Sequence, residues 1–334
     1  MFASTRSKMV LNIFLKGIIM IANLLFCLDA TIPVFLLMIL GMVFMKMKLF
    51  NENFVDMMNA FVFKVALPVL LFHDLCKENF QDVWDTRYVL FCFVATGLSI
   101  MLTIALSYLV KDKSVQGEFI QVSYRSSAAL LGITLVQNIY GNAGMTPLMI
   151  IGSVPLYNIM AVVVLSVYNS DRKPVTKAML GKTTMGIVTN PIIIGVFAGL
   201  FWSLLQIPLP SIADRAVSSV AAVATPLGLM AMGASFDFKK AVASIKTASS
   251  CTFIKLIGLG CIFLPIAVAM GFRGSKLVAA LIMCCSPTTV SCYVMARNMG
   301  HEGTLTSSTV MLTTFFSAFT LTIWLFVLKT LNLL

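Results

Sequence analysis

The sequence is short of charge, and above all of negative charge. Only 11% of its 334 residues are charged, with 13 Asp and Glu against 24 Lys and Arg. A soluble domain has roughly a quarter of its residues charged, so these few cannot form the polar surface of a soluble protein of this size. The apolar share of 59% and the mean hydropathy of +0.96 agree. The composition therefore predicts a polytopic membrane protein and excludes a secreted disulfide scaffold and a disordered chain.

The sequence also lacks the motifs of enzymes. It has two histidines, His73 and His301, and neither an HExxH nor a GxSxG string. A GKT string at 181–183 lacks the preceding glycine of a phosphate-binding loop. The eight cysteines show no paired CxxC spacing, so we interpret them as packing residues rather than zinc ligands. These absences argue against an enzyme, a bound cofactor and a metal site.

Long apolar runs are what the sequence has in abundance. A bilayer core needs about 20 apolar residues per helix, and by this measure the chain contains ten spans. They are 22–45, 53–73, 88–110, 119–139, 145–168, 185–206, 213–235, 248–271, 277–298 and 304–328. We interpret residues 1–19 as an N-terminal extension or a misassigned start, although their bases and the apolar run after them also resemble a signal peptide.

The distribution of positive charge predicts the orientation. Twelve Lys and Arg lie in the loops after the odd-numbered helices or at the adjoining helix ends. Because cytoplasmic loops are rich in Lys and Arg, this side, with the loop 169–184, is expected to be cytoplasmic and both termini extracellular. The net charge of +11 then reflects topology in the plasma membrane and contact with anionic lipid, rather than binding of nucleic acid.

Three landmarks recur at a nearly constant distance along the chain. The matched pairs are Gly41 with Gly199, Pro68 with Pro226, and Ser127 with Ser286. The first two pairs are 158 positions apart and the third 159. The two halves, 20–168 and 185–334, hold five predicted helices each, and an odd number inverts the second half in the membrane. Inverted repeats of this kind build secondary transporters whose substrate lies near the midplane, between discontinuous helices.

Helices four and nine are the candidates for such discontinuities. Each carries a run of small polar residues about ten positions into its span. These residues are Ser126 and Ser127 in helix four, and Ser286, Pro287, Thr288 and Thr289 in helix nine. Proline removes a backbone donor, and an opened helix within a membrane lines a cavity or is buried in protein. The positive N-terminus of a half-helix would suit a carboxylate. A simple proline kink is the alternative.

Five strings, in order, resemble the auxin efflux carrier family in its bacterial permease branch. They are FVFKVALPVLLFHDL (61–75), RSSAALLGITLVQNIYG (125–141), NPIIIGVFAGL (190–200), PLGLMAMGASF (226–236) and SPTTVSCYVMARNMG (286–300). The resemblance covers nearly everything from about residue 20 onward. The family often has Asn at the position of Ser127, which is shorter and lacks the amide.

This resemblance implies an all-α fold of ten transmembrane helices in two inverted five-helix repeats, similar to that of bile-acid sodium symporters. A scaffold domain of helices one, two, six and seven would face a transport domain that holds the crossed, broken helices four and nine. Members of the family move organic anions, among them auxin, malate and malonate.

Three bases and one histidine inside or beside the spans are candidates for function. Arg125 adjoins the predicted break in helix four, where its planar guanidinium could bind a carboxylate, or it could reach the headgroups. Lys64 lies mid-span and could pair with the substrate or with a carboxylate of another helix. Lys255 lies nearer the inner end of helix eight, where we expect it to extend to the headgroups. His73 could carry a coupling proton or be an interfacial residue.

The sequence therefore predicts a secondary transporter for small mono- or dicarboxylate anions that works by alternating access. Export is favoured, because an inside-negative potential drives an anion outward. A membrane sensor built on a transporter fold is the alternative. The substrate's identity, a coupling ion (H⁺ or Na⁺) and a homodimeric state stay open.

Overall fold

The structure is a computed structural model that describes residues 32–76, 84–128, 135–137, 139–141, 144–168, 185–186, 189–205 and 207–334. Throughout these residues the regular structure is helical, without a strand. The expectations for residues 1–19, for the first part of span one and for the loop 169–184 lie outside the described residues.

The helices follow the predicted apolar runs in order. They are α1 (Ile32–Lys46), α2 (Glu52–Cys76), α3 (Thr86–Ser107), α4 (Gln116–Tyr124), α5 (Thr146–Val167), α6 (Pro191–Leu205), α7 (Ser211–Ala234), α8 (Phe238–Ala243), α9 (Ile245–Ala269), α10 (Ser275–Cys285), α11 (Ser291–Asn298) and α12 (Thr304–Thr330). Six of them, α2, α3, α5, α7, α9 and α12, are long and apolar enough to cross a membrane, and α1, α6 and α10 are shorter apolar helices. The described part thus has six full-length candidate spans where the sequence predicted ten.

Side chains at the helix ends explain several of these boundaries. Asn51 Oδ1 accepts from the backbone N–H of Phe54 at 2.8 Å, at the start of α2. Asp85 does the same for Tyr88 at 3.1 Å, at the start of α3. Such side chains satisfy the N–H groups of a first turn, which have no partner within the helix.

The start of α12 is capped by a residue distant in sequence. Both carboxylate oxygens of the buried Glu118, on α4, accept from this turn: from the N–H of Gly303 at 2.9 Å, and from the N–H and hydroxyl of Thr306 at 2.9 and 2.7 Å. Glu118 therefore joins α4 to α12.

Two long helices contain a π-turn, and each π-turn carries a lysine. The π-turn of α2 spans Val62–Ala66 and contains Lys64, while that of α9 spans Ile254–Gly258 and contains Lys255. A π-turn adds a residue to one turn and is frequent at functional sites. The two lysines nevertheless differ completely in burial, since Lys64 is exposed and Lys255 is 0% exposed.

Glycines allow two close helix crossings that resemble each other. A Cβ at Gly41 of α1 would lie 2.1 Å from the carbonyl oxygen of Met230 on α7, and a Cβ at Gly199 of α6 would lie 3.0 Å from Phe72 on α2. Phe72 and Met230 are 158 positions apart, as are Gly41 and Gly199. The repeat distance found in the sequence therefore maps one crossing onto the other.

The helix α10 lies at the centre of the largest core cluster. All of its residues from Leu277 to Cys285 are buried, and they pack among side chains of α3, α5, α9 and α12. A helix that is buried on every side is held in place by its neighbours. The C-terminal end of α10 forms part of the candidate site.

Candidate functional site

The backbone is non-helical at both predicted breaks. The helix α4 ends at Tyr124 and residues 125–127 are extended or irregular, while α10 ends at Cys285 and α11 begins at Ser291. The two breaks touch, because the N–H of Ser127 donates to the carbonyl oxygen of Pro287 at 2.9 Å. The ends of α4 and α10, where the sequence predicted breaks, thus meet inside the protein.

Each break supplies a hydroxyl to the open end of the opposite helix. Ser126 Oγ donates to the carbonyl oxygen of Met283 in the last turn of α10 at 2.5 Å. Thr288 Oγ1 donates to the carbonyl oxygen of Val122 in the last turn of α4 at 2.8 Å. Carbonyls in a last turn have no partner within their helix, so each break satisfies part of the helix end that the other leaves open.

Arg125 is the charged residue of the first break. Its side chain is 2% exposed; Nη2 donates to Asn158 Oδ1 at 2.7 Å and to Ser291 Oγ at 2.9 Å, and Nη1 donates to Met295 Sδ at 2.9 Å. These partners are neutral, and the buried Nε has no partner. The guanidinium is therefore not paired with an anion by these contacts, and its Nε is an unused donor.

Lys255 enters the same site from the π-turn of α9. Its Nζ donates to Ser126 Oγ at 2.5 Å and to the carbonyl oxygen of Cys284 at 2.7 Å. The expectation that Lys255 extends to the headgroups was wrong, because the side chain is fully buried. An ammonium is favourable at the negative, C-terminal end of a helix. The Nζ of Lys255 lies at this end of α10.

The site combines positive charge with a partly open polar edge. Among the residues that the structure describes, no carboxylate pairs with Arg125 or Lys255. Ser127, Thr289 and Ser291 are partly exposed, whereas Ser126, Ser286, Pro287 and Thr288 are buried. The arrangement could hold a small anion, with hydroxyls on its accessible side and fixed cations behind.

The family model described as "Membrane transport protein" matches residues 26–325 of the chain. The chain belongs to this family, that of the auxin efflux carriers. This membership makes it a membrane transporter and not an enzyme.

The transporter is also similar to two curated proteins. One, named "Uncharacterized transporter", is from Methanothermobacter thermautotrophicus and is 19% identical over 305 residues, which cover 90% of this chain and 98% of the relative. The other, named "Putative malonate transporter", is from Rhizobium meliloti and is 20% identical over 305 residues, which cover 89% of this chain and 94% of the relative.

The transporter's remaining predicted site residues lie away from these contacts. Lys64 is exposed on α2 and takes part in none of the hydrogen bonds at the breaks. The ring of His73 meets Asp214 of α7, with Nε2 and Oδ1 3.2 Å apart. The structure thus brings Arg125 together with the hydroxyl residues and leaves Lys64 and His73 outside this group.

Sequence reasoning assigned one residue of this site, Lys255, to the headgroups and did not consider two others, Asn158 and Ser291. Lys255, Asn158 and Ser291 all bond to residues of the first break. A signal existed for Lys255, which is ten residues into α9 and therefore about 15 Å from its start, half the thickness of a bilayer core. Asn158 is polar within an apolar run, but its partner is 33 positions away.

Proposed function

We propose that this chain is a secondary transporter that moves small organic anions across the plasma membrane by alternating access. The observation that carries this proposal is the pair of buried cations, Arg125 and Lys255, at two opened helices, with no carboxylate beside them in the described structure. Buried charge inside a membrane protein is costly unless it is paired. An anionic substrate would supply the missing charge.

In this proposal the residues of the breaks divide into two groups. Arg125 attracts a carboxylate through its unused N–H groups, and the partly exposed Ser127 and Thr289 offer hydroxyls to the same anion. Ser126, Pro287 and Thr288, all buried, hold the two breaks against each other, while the buried hydroxyl of Ser286 has no partner. The short side chain of Ser127 leaves more space than the Asn that is frequent in the family.

The proposed substrates are mono- or dicarboxylates. A guanidinium is planar and matches a carboxylate with two parallel hydrogen bonds. The name of the relative from Rhizobium meliloti makes malonate a good first compound. Export is the proposed direction, because an inside-negative potential drives an anion outward by about 2.3 kcal/mol per charge per 100 mV.

The proposed architecture is a pair of inverted five-helix repeats, 20–168 and 185–334, in which α10 and α11 form helix nine. The matching crossings of α1 on α7 and of α6 on α2 support it, as do the reciprocal hydroxyl bonds of the two breaks. We take α1, α2, α6 and α7 as the scaffold domain and the other helices as the transport domain. Both termini would be extracellular and the loop 169–184 cytoplasmic.

Flux in proteoliposomes tests the proposal. Purified protein is reconstituted with labelled malonate, malate, lactate and indole-acetate, and flux is followed under an imposed potential. Saturable flux of at least one anion is expected. If the compounds bind but none crosses the membrane, the proposal is wrong and the chain is a sensor on a transporter fold.

A further inference from the structure

The position of Lys255 bears on a question that the substrate site leaves open, the ion that accompanies the anion. In transporters built from inverted repeats, coupling cations such as sodium are bound by unwound backbone carbonyls and by the C-terminal ends of half-helices. The end of α10 offers such oxygens, but in this chain an ammonium already binds them. Lys255 Nζ lies 2.7 Å from the carbonyl oxygen of Cys284.

The ammonium also ties the two breaks together. Ser126 of the first break donates its hydroxyl to Met283 O, so the same oxygen is free to accept from Lys255, at 2.5 Å. The carbonyl of Met283 accepts a second bond, from the hydroxyl of Tyr157 at 2.9 Å. A bound metal cation would make the same kind of contacts, to a hydroxyl oxygen and a backbone carbonyl oxygen.

The chain builds the local backbone that places this charge. Lys255 lies in the π-turn Ile254–Gly258 of α9, and no part of its side chain is exposed. A lysine that served only to reach the headgroups would not need to be buried. The surroundings within the described structure supply no carboxylate partner, and the ammonium's ligands are the neutral oxygens of the breaks.

We propose that Lys255 is a tethered cation that takes the place of a coupling sodium ion at the crossing of the two breaks, so that this transporter needs no sodium. The inference rests on the proposed function. Because the ammonium is covalently attached, it travels with the transport domain in both directions and takes no energy from an ion gradient. The membrane potential acting on the anion would then be the driving force, which agrees with export.

The first test compares wild-type flux of malonate in sodium buffer and in N-methylglucamine buffer of equal ionic strength. We expect equal rates in the two buffers and a response to the imposed potential. Flux that requires sodium would overturn the inference while leaving the proposed function intact. The absence of flux of every anion would instead overturn the proposed function.

The second test removes the ammonium. Lys255→Ala should reduce flux about tenfold or more, because buried oxygens lose their donor, and short n-alkylammonium ions should restore part of it. Lys239→Ala, which removes an exposed lysine of α8, is the control and should transport normally. A Lys255→Ala protein that transports at the wild-type rate without added amine would overturn the inference.

Melting in detergent gives a readout that does not depend on transport. The wild-type melting temperature should be the same in sodium and in N-methylglucamine, and that of Lys255→Ala should rise with the alkylammonium ion. A wild-type protein that sodium stabilises would contradict the inference. If Lys255→Ala does not fold, the comparisons of wild-type flux and of wild-type melting temperature in sodium and in N-methylglucamine still test the inference.

Discussion

At the scale of single residues, the cost of burying Arg125 is the central physical fact. The guanidinium has exchanged water for an amide oxygen, a hydroxyl and a sulfur, all of them neutral. Neutral acceptors satisfy hydrogen bonds but do not cancel charge, so the low-dielectric interior favours the arrival of an anion. This reasoning supports the proposal that Arg125 binds the carboxylate of a substrate.

The resulting prediction concerns Arg125→Gln and Arg125→Lys. Both should reduce malonate flux about tenfold or more, because a charge-assisted bond to an anion contributes about 1.5–3 kcal/mol. Lysine should fail as well, since a point charge cannot reach Asn158 and Ser291 while binding a carboxylate in a planar fork. Saturable flux and melting temperature are measured for each variant. Arg215→Gln, at an exposed arginine, is the control, and a folded Arg125 variant with normal flux would contradict the assignment.

The two buried bases also show how far sequence reasoning reaches at this scale. Arg125 could be assigned to a break because the hydroxyl residues follow it directly in the chain. Lys255 could not, because its partners are 29 and 129 positions away and because nothing in an apolar run announces a π-turn. Lys64 shows the converse, since a base at the middle of a span was expected to face inward and the fold leaves it exposed.

At the scale of the elements, the breaks stabilise each other through the reciprocal bonds of Ser126 and Thr288. The runs of serine, threonine and proline at 126–127 and 286–289 indicated the positions of the non-helical segments. The bonds between them were not predictable, since they join residues more than 150 positions apart. Each of these helix ends receives a donor from the other break for a carbonyl that has no partner within its own helix.

A prediction for this element concerns Thr288→Val. The substitution keeps the shape of the side chain and removes the hydroxyl that donates to Val122 O, so a buried carbonyl loses a partner. We expect a loss of about 1–3 kcal/mol of stability, seen as a lower melting temperature in detergent. Thr330→Val is the matched control, because Thr330 is exposed and donates only within its own helix, to Phe326 O. Equal melting of the two variants would show that the reciprocal bond contributes little.

At the scale of the whole molecule, the ion pairs at the two ends of the bundle differ in what they connect. At the end that we predict to be cytoplasmic, Arg297 of α11 meets Asp56 of α2 at 3.4 Å, which joins the proposed transport domain to the scaffold. At the other end, Lys276 of α10 meets Asp85 at the start of α3 at 2.5 Å, within the proposed transport domain. That ammonium also lowers the pKa of Asp85.

More contacts follow the same division. Asn298 Nδ2 donates to the carbonyl oxygen of Asn59 on α2 at 3.1 Å, a second contact between the proposed transport domain and the scaffold. Lys240 of α8 pairs with Glu302 beside the first of these ends, within the proposed transport domain. His73 and Asp214 pair within the proposed scaffold. The Asp56–Arg297 and Asn59–Asn298 contacts therefore join the proposed domains at the predicted cytoplasmic end, and the proposed alternating access would require them to separate.

This requirement leads to a prediction for the pair Asp56 and Arg297. In Asp56→Cys/Arg297→Cys, a short bifunctional thiol reagent with a reducible bond should join the scaffold to the transport domain and hold that end closed. Flux should fall about tenfold or more relative to the same protein before cross-linking, since the step that opens the site would be lost, and it should return on reduction.

Asp85→Cys/Lys276→Cys is the matched control, and both double variants are made in a protein whose eight native cysteines have been replaced. The control also replaces an ion pair with a cross-link, but between two helices that are proposed to move together, so its flux should survive the reagent. Full flux from cross-linked Asp56→Cys/Arg297→Cys would mean that α2 and α11 do not separate during transport. Arrest of both proteins would place a domain boundary between α3 and α10 as well, because only relative motion of cross-linked elements makes a cross-link inhibitory.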